Sequence, residues 1–332
     1  MAINPQVVAS VREELTHSGF GAGSAALLGG RCSAHSDLET TLSSLLGFES
    51  ALIFSSGYLA NLGALSSLLT KKDKVFHDRL NHASLIDGVL SAGCNHRRYP
   101  HLGHPVLQSN TPVEKIAIVT ESIFSMDGDV ADINTLESIS RENQVLLYID
   151  DAHGFGVINN GLGATGSINA KHCPENLIIM ITLGKALGSF GGVILSSDKV
   201  REYLINYCRT FIYDTAIPPV AATAASEALS ILINDGKPYH QLQKNIKYFK
   251  SLATKAGVDM KDSNSPIQPI LFDSEEQAIK KEQQLRKNGF YVKAIRPPTV
   301  PAGTSRLRIV LSALHTFSQL DKLVDVLSLE KE

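Results

Sequence analysis

Charge of one sign, cysteine and long apolar runs are all scarce in this sequence, and each shortage closes off a class of function. With 31 Lys and Arg against 33 Asp and Glu, the formal net charge is −2. That gives no electrostatic ground for a nucleic-acid or anionic-membrane partner. Four scattered cysteines (Cys32, Cys94, Cys173 and Cys208) form no CxxC pair. Such usage fits reduced thiols in a cytoplasmic protein. No apolar run approaches the ~20 residues that span a bilayer. The start, Met1-Ala2-Ile3-Asn4-Pro5, lacks the basic-then-apolar order of an export signal. Internal repeats and low-complexity segments are absent as well.

The 332 residues are 43 % hydrophobic and 19 % charged, with 25 Gly, as in an ordinary globular α/β chain. Short apolar runs at Ala51–Phe54, Lys115–Thr120, Val145–Ile149, Leu177–Ile181 and Gly192–Leu195 alternate with helix-length segments such as Asp132–Asn143. Apolar strands separated by helices predict a large domain with a mostly parallel sheet, covered by helices on both faces. An Ala-rich helix, Val220–Ile233, precedes a turn at Asn234–Pro238. The pattern then changes to helix 239–256, strand 267–272, helix 275–288, strands 291–295 and 306–311, and helix 317–329. This predicts a large domain over 1–235 and a small C-terminal α+β domain over 236–332.

Ligands of such sheets collect at the C-terminal ends of the strands. Asp150-Asp151-Ala152-His153-Gly154 ends one apolar run, and Thr182-Leu183-Gly184-Lys185 follows another. An amine and a carboxylate brought to one rim suit pyridoxal phosphate (PLP) chemistry. The amine holds the aldehyde as a Schiff base, and the carboxylate keeps the pyridine nitrogen protonated. Lys185 is the candidate amine; a free lysine titrates near ~10.4, so a catalytic one needs its environment to lower that value. Asp150 is the candidate partner of the ring nitrogen, and Asp151 reads as a structural cap or loop acid. His153 can hydrogen-bond the phenolic oxygen, although a lone histidine is more often structural.

Ser55-Ser56-Gly57-Tyr58 opens a helix over 58–69, and helix starts bind phosphate. The same signal also marks any strand–helix turn. The Thr182 hydroxyl is a second phosphate candidate. His82, in Asn81-His82-Ala83-Ser84, can cover a ring face or simply face solvent. Arg306-Leu307-Arg308 alternates as a half-buried strand, and a guanidinium there can hold a carboxylate through two parallel hydrogen bonds. Two other patterns carry little. Gly161-Leu162-Gly163-Ala164-Thr165-Gly166 has the spacing of a dinucleotide loop but follows Asn159-Asn160 where a strand is needed. His101-x-x-His104, near His96, lies among Pro100, Gly103 and Pro105, and no Cys or acid in the sequence completes a metal set.

With these residues in hand, the chain resembles the α-oxoamine synthases, PLP enzymes of fold type I. The likeness runs over nearly all of residues 1–332 and rests on Asn81–Leu85, Glu121–Asp129, Asp150–Gly154 and Thr182–Lys185. It implies that Lys185 binds PLP, Asp150 pairs with the ring nitrogen, His153 meets the phenolic oxygen and His82 stacks on the ring. It further implies that Ser125 lies near the cofactor and Arg308 binds the amino-acid carboxylate. Ser56, Gly57, Tyr58 and Thr182 would serve the phosphate. The family is homodimeric, with sites at the interface, and Thr215 would reach the partner's phosphate.

Ala294–Thr304 followed by Arg306-Leu307-Arg308 looks like the members that condense L-alanine with pimeloyl-CoA or a pimeloyl-acyl carrier protein, in biotin biosynthesis. The glycine-using members, such as glycine C-acetyltransferase, differ in that segment and are the alternative. A non-catalytic homologue that only folds and dimerises is a further alternative. The likeness also implies an N-terminal arm ahead of Met1 that this sequence largely lacks. Asp214 replaces the usual Ser or Thr beside Thr215, where a carboxylate close to a phosphate would be unfavourable.

Overall fold

The structure, a computed structural model, describes residues 1–107, 113–168 and 174–329. The chain divides into two compact units: Met1–Ser122 with Ala131–Asn234, and Ile123–Val130 with Asp235–Glu332. The sequence puts residues 123–130 in the first domain; in the structure that stretch belongs to the second unit.

The first unit holds helices α1 (Pro5–Ser18), α2 (Ser33–Leu46), α3 (Gly57–Leu68), α4 (Ala83–Ser91), α5 (Ile133–Asn143), α6 (Asp198–Tyr207), α7 (Arg209–Ile212) and α8 (Pro219–Asp235). Its seven strands are β1 (Ser50–Phe54), β2 (Lys74–Asp78), β3 (Asn95–Tyr99), β4 (Ile116–Glu121), β5 (Leu146–Asp150), β6 (Leu177–Thr182) and β7 (Gly192–Ser196). They form one sheet in the order β1-β7-β6-β5-β4-β2-β3. Only β7 runs against its neighbours, and every other pairing among β2–β6 is parallel. β1, β6 and β7 are apolar and almost wholly buried, as strands covered on both faces must be. Polar caps fix where helices begin: Ser56 accepts from the Leu59 amide, Asp132 from Thr135 and Ser197 from Val200.

Parallel register brings the chemistry to one rim. Glu121 at the end of β4 lies opposite Asp150 at the end of β5, and Asp150 lies opposite Met180, two residues before Thr182.

The second unit is a three-stranded antiparallel sheet, β8 (Ile267–Phe272), β9 (Lys293–Ile295) and β10 (Ser305–Val310), with β10 in the middle. Helices α9 (Lys237–Lys255), α10 (Glu275–Lys287) and α11 (Phe317–Ser328) accompany it. The 123–130 stretch is bound to this sheet. Arg306 pairs with Asp127, and Lys261 reaches Asp127 at 3.0 Å and Asp129 at 2.9 Å. Gly128 has φ +72°, and a Cβ there would fall 2.6 Å from the Ile267 carbonyl oxygen, so only glycine fits.

Candidate active site

Asp150 is 5 % exposed where β5 surfaces. Its Oδ1 accepts the Ala152 amide at 2.9 Å and its Oδ2 accepts Asn61 Nδ2 at 2.7 Å. Burial pushes this carboxyl above its ordinary value, while the Ala152 amide, the charge of Lys185 and Asn61 pull it back. The charged form therefore calls for a further positive partner. Asn61 also accepts from the Tyr148 hydroxyl at 2.8 Å and donates to Ser84 Oγ at 2.9 Å. Ser84 Oγ in turn lies 2.8 Å from His82 Nδ1.

The loop after β6 displays its lysine by anchoring what lies around it. Leu183 and Leu187 are fully buried, and Lys185 between them is exposed. Thr182 Oγ1 donates to the Gly191 carbonyl at 3.1 Å and accepts the Gly184 amide at 3.2 Å, which closes the loop. Lys185 Nζ lies 2.8 Å from His153 Nε2. The amine and the imidazole predicted from sequence thus meet directly.

At the start of α3 the first amides have no partner within the helix, and those of Gly57 and Tyr58 are the donors a phosphate would use. β7 passes so close that a Cβ on Gly192 would sit 2.7 Å from Gly57 N. The Tyr58 hydroxyl bonds Asp87, and its ring meets the exposed His82 edge-on at 6.3 Å. His82 caps α4, and its amide donates to Glu121 Oε1 at 2.6 Å. Asp214, the substitution that sets a carboxylate beside Thr215, accepts from the Ser55 hydroxyl and, at 2.9 Å, from the Thr215 amide. Thr215 itself is exposed.

Asp151, read from sequence as a cap or loop acid, is a buried centre of its own. It accepts from the Ser122 hydroxyl and, at 2.8 Å, from the Ala164 amide. Burial pushes it from 3.8 to about 7. The folded chain therefore keeps a proton that the unfolded chain has lost, so stability falls as pH rises from about 4 to about 7. Asp151→Asn is expected to remove that fall. The unfolding free energy of the variant relative to wild type should climb from pH 5 to pH 7 and level off above. Urea titration of the cofactor-free chains measures it, and parallel pH curves would count against the assignment.

In the second unit Arg306 and Arg308 share one face of β10 but differ in use. Arg306 is 6 % exposed and held by Asp127 and, through Nε, by the Thr304 carbonyl at 3.0 Å. Arg308 is half-buried; its Nε donates to the Ser125 carbonyl at 2.6 Å, and no carboxylate among the described residues pairs with it. The Ser125 main chain orients the guanidinium that is available for an anion.

Asn61, Ser84, Tyr148 and Glu121 were not picked out as site residues from sequence. Asn61 had a signal: it is the only polar side chain in Leu59-Ala60-Asn61-Leu62-Gly63-Ala64-Leu65, and a buried amide needs partners. The Gly161 pattern forms two short 3-10 turns, Asn159–Gly161 and Gly163–Ser167. His101 Nδ1 lies 3.0 Å from Asp78, and His104 lies 3.8 Å from Asp132. No group of three or more metal-binding side chains occurs among the described residues, and none of their helices is long and apolar enough to cross a membrane. Cys32, Cys94 and Cys208 are free thiols; Cys173 lies outside the described residues.

Comparison with known proteins places these features in a family. Residues 3–327 match the family described as aminotransferase class I and II. The 8-amino-7-oxononanoate synthase of Methylococcus capsulatus is 40 % identical over 99 % of this chain and 86 % of its own. The solved 8-amino-7-oxononanoate synthase of Francisella tularensis superposes with a TM-score of 0.82 at 30 % identity, covering 98 % of this chain and 93 % of that one. A serine palmitoyltransferase variant of S. paucimobilis, solved with a PLP–myriocin aldimine, gives a TM-score of 0.89 at 26 % identity, over 98 % and 83 % of the two chains.

Proposed function

The chain belongs to the class I and II aminotransferase family, in the branch of the 8-amino-7-oxononanoate synthases. From that membership we propose that it condenses L-alanine with a pimeloyl thioester of CoA or acyl carrier protein. The products are 8-amino-7-oxononanoate, CO2 and the free thiol, a step of biotin biosynthesis. As a member of that family it is a PLP-dependent transferase. The observation that carries the reading is a buried carboxylate, Asp150, on the same sheet rim as an exposed amine, Lys185, held at His153.

The residues present fit PLP. A buried carboxylate pushed toward neutrality gains most from a ligand that brings an N–H and a positive charge together, as a protonated pyridine does. When bound, PLP supplies the electron sink that stabilises negative charge at the alanine Cα. Asp150 would pair with the pyridine nitrogen and keep it protonated, and His82 would cover the ring. His153 hydrogen-bonds the phenolic oxygen and steadies the Lys185 amine, 2.8 Å away. The Lys185 amine would take the proton from the alanine Cα and, after CO2 has left, return one. Ser56, Gly57, Tyr58 and Thr182 hold the phosphate. Arg308 takes the alanine carboxylate. The active assembly is a homodimer in which Thr215 serves the partner's phosphate.

Arg308→Lys keeps the charge and loses the planar fork. It is expected to raise the KM for L-alanine about ten- to hundredfold, the worth of a hydrogen bond to a charged group, with a smaller change in kcat. Initial rates against alanine concentration measure this, and an unchanged KM would remove Arg308 from the role. The reaction itself is tested by mass analysis of the product from PLP-loaded protein, pimeloyl-CoA and either L-alanine or glycine. Formation of 8-amino-7-oxononanoate from alanine is the expected result. Turnover of glycine with a short acyl-CoA, and none of alanine, would move the chain to the sister acyltransferases.

A further inference from the structure

Asn61 lies in the second turn of α3, 1 % exposed, at the meeting point of three buried groups. Its Oδ1 accepts from Tyr148, and its Nδ2 donates to Asp150 Oδ2 at 2.7 Å and to Ser84 Oγ at 2.9 Å. The directions of these bonds follow from what each group can do. An ionised carboxylate only accepts, so the amide must turn its NH2 toward Asp150 and leave Oδ1 to the Tyr148 hydroxyl. The second proton of that NH2 fills a lone pair of Ser84 Oγ. The hydroxyl proton of Ser84 then points elsewhere, and His82 Nδ1 is 2.8 Å away. The backbone amide of Ser84 reaches the same nitrogen at 3.2 Å. Two donors converge on Nδ1, so it bears no proton, and the proton of the neutral ring sits on Nε2.

We propose that Asn61 is the positioning residue of this site: one buried amide ties ionised Asp150 to a His82 fixed with Nδ1 bare and Nε2 protonated. The inference rests on the functional reading above, which gives Asp150 and His82 their roles. His82 then presents a donor, Nε2–H, to whatever lies on the exposed side of its ring. If Asp150 were neutral the amide would be released to turn over and could draw the Ser84 hydroxyl proton to its oxygen, leaving the Ser84 main-chain N–H alone to hold Nδ1 bare. The other groups around His82 leave this chain intact. Tyr58 of α3 touches the ring edge and is itself held by Asp87 of α4, and Glu121 of β4 accepts the His82 main-chain N–H.

The test is 15N NMR of histidine-labelled protein, with and without PLP, the His82 signals being identified by their loss in His82→Gln. In the wild type, Nδ1 should resonate as a bare acceptor and Nε2 as a protonated nitrogen. Ser84→Ala and Asn61→Ala should draw the two signals toward each other as the tautomers mix, and Ser84→Thr should restore the wild-type pair. Asn61→Ala should also weaken PLP binding about tenfold or more, the effect of losing a hydrogen bond to a charged group, while Ser84→Ala leaves the Asp150 contact in place. If Asn61→Ala does not fold, the Ser84 variants decide. Identical His82 signals in wild type and Ser84→Ala, or Nδ1 protonated in the wild type, would overturn the proposal. Intact tautomer behaviour in a protein that does not turn over alanine would support the positioning role and reject the proposed reaction.

Discussion

Lys185→Ala is expected to fold, to bind PLP without a covalent link and to lose turnover by roughly 10^4-fold or more, since an acid–base group alone contributes up to about that much. The side chain is exposed in a loop whose anchors are Leu183 and Leu187, so its removal subtracts no core. Stability of the cofactor-free chain should stay within about 0.5 kcal/mol of wild type. Borohydride reduction of the PLP-loaded proteins separates the two consequences. Wild type should carry the reduced cofactor on the peptide containing Lys185, and the variant on none. A label on another lysine, together with an active Lys185→Ala protein, would dislodge Lys185 from the chemistry.

Asp150→Asn is expected to divide activity from stability in opposite directions. A neutral amide of the same shape cannot offset a positive ring nitrogen, so turnover should fall roughly 10^3-fold, in line with the loss of one preorganised electrostatic partner. The fold, by contrast, is relieved of a buried charge. Because burial raises the Asp150 carboxyl, its ionisation costs the folded state more than the unfolded one. The cofactor-free variant should therefore be at least as stable as wild type above neutral pH. Asn61 can accommodate the change by turning its oxygen toward the new amide. Turnover within tenfold of wild type would show that the acid is not the partner of the ring.

Much of this was legible along the chain because buried parallel strands announce themselves. β4, β5, β6 and β7 are apolar until their last one or two residues, and the acid–His and lysine clusters begin where β5 and β6 end. β2 and β3 escaped notice for an equally physical reason. β3 is an edge strand, four of its five residues are exposed, and Asn95-His96-Arg97-Arg98-Tyr99 has no apolar pattern to find. β2 is five residues long and ends in His77 and Asp78. α3 is apolar almost all round, so its length could be read but not which face carries the Asn61 amide. The separate uses of Arg306 and Arg308 were hidden too. Period two puts both on one face, and only the fold reveals that Asp127 claims the first.

That pairing also bears on how the protein is made. Asp127 belongs to the second unit, yet it leaves the ribosome well before its partner Arg306, which comes 179 residues later. The second unit is therefore encoded in two places, and synthesis must add residues 131–234, the rest of the first unit, while residues 123–130 wait for their sheet. A gene fragment starting at Asp235 would carry the buried Arg306 without its counter-ion and Lys261 without either acid. Swapping this unit between homologues by a single crossover near residue 235 would mismatch the same contacts, so recombinants would need to exchange both segments together.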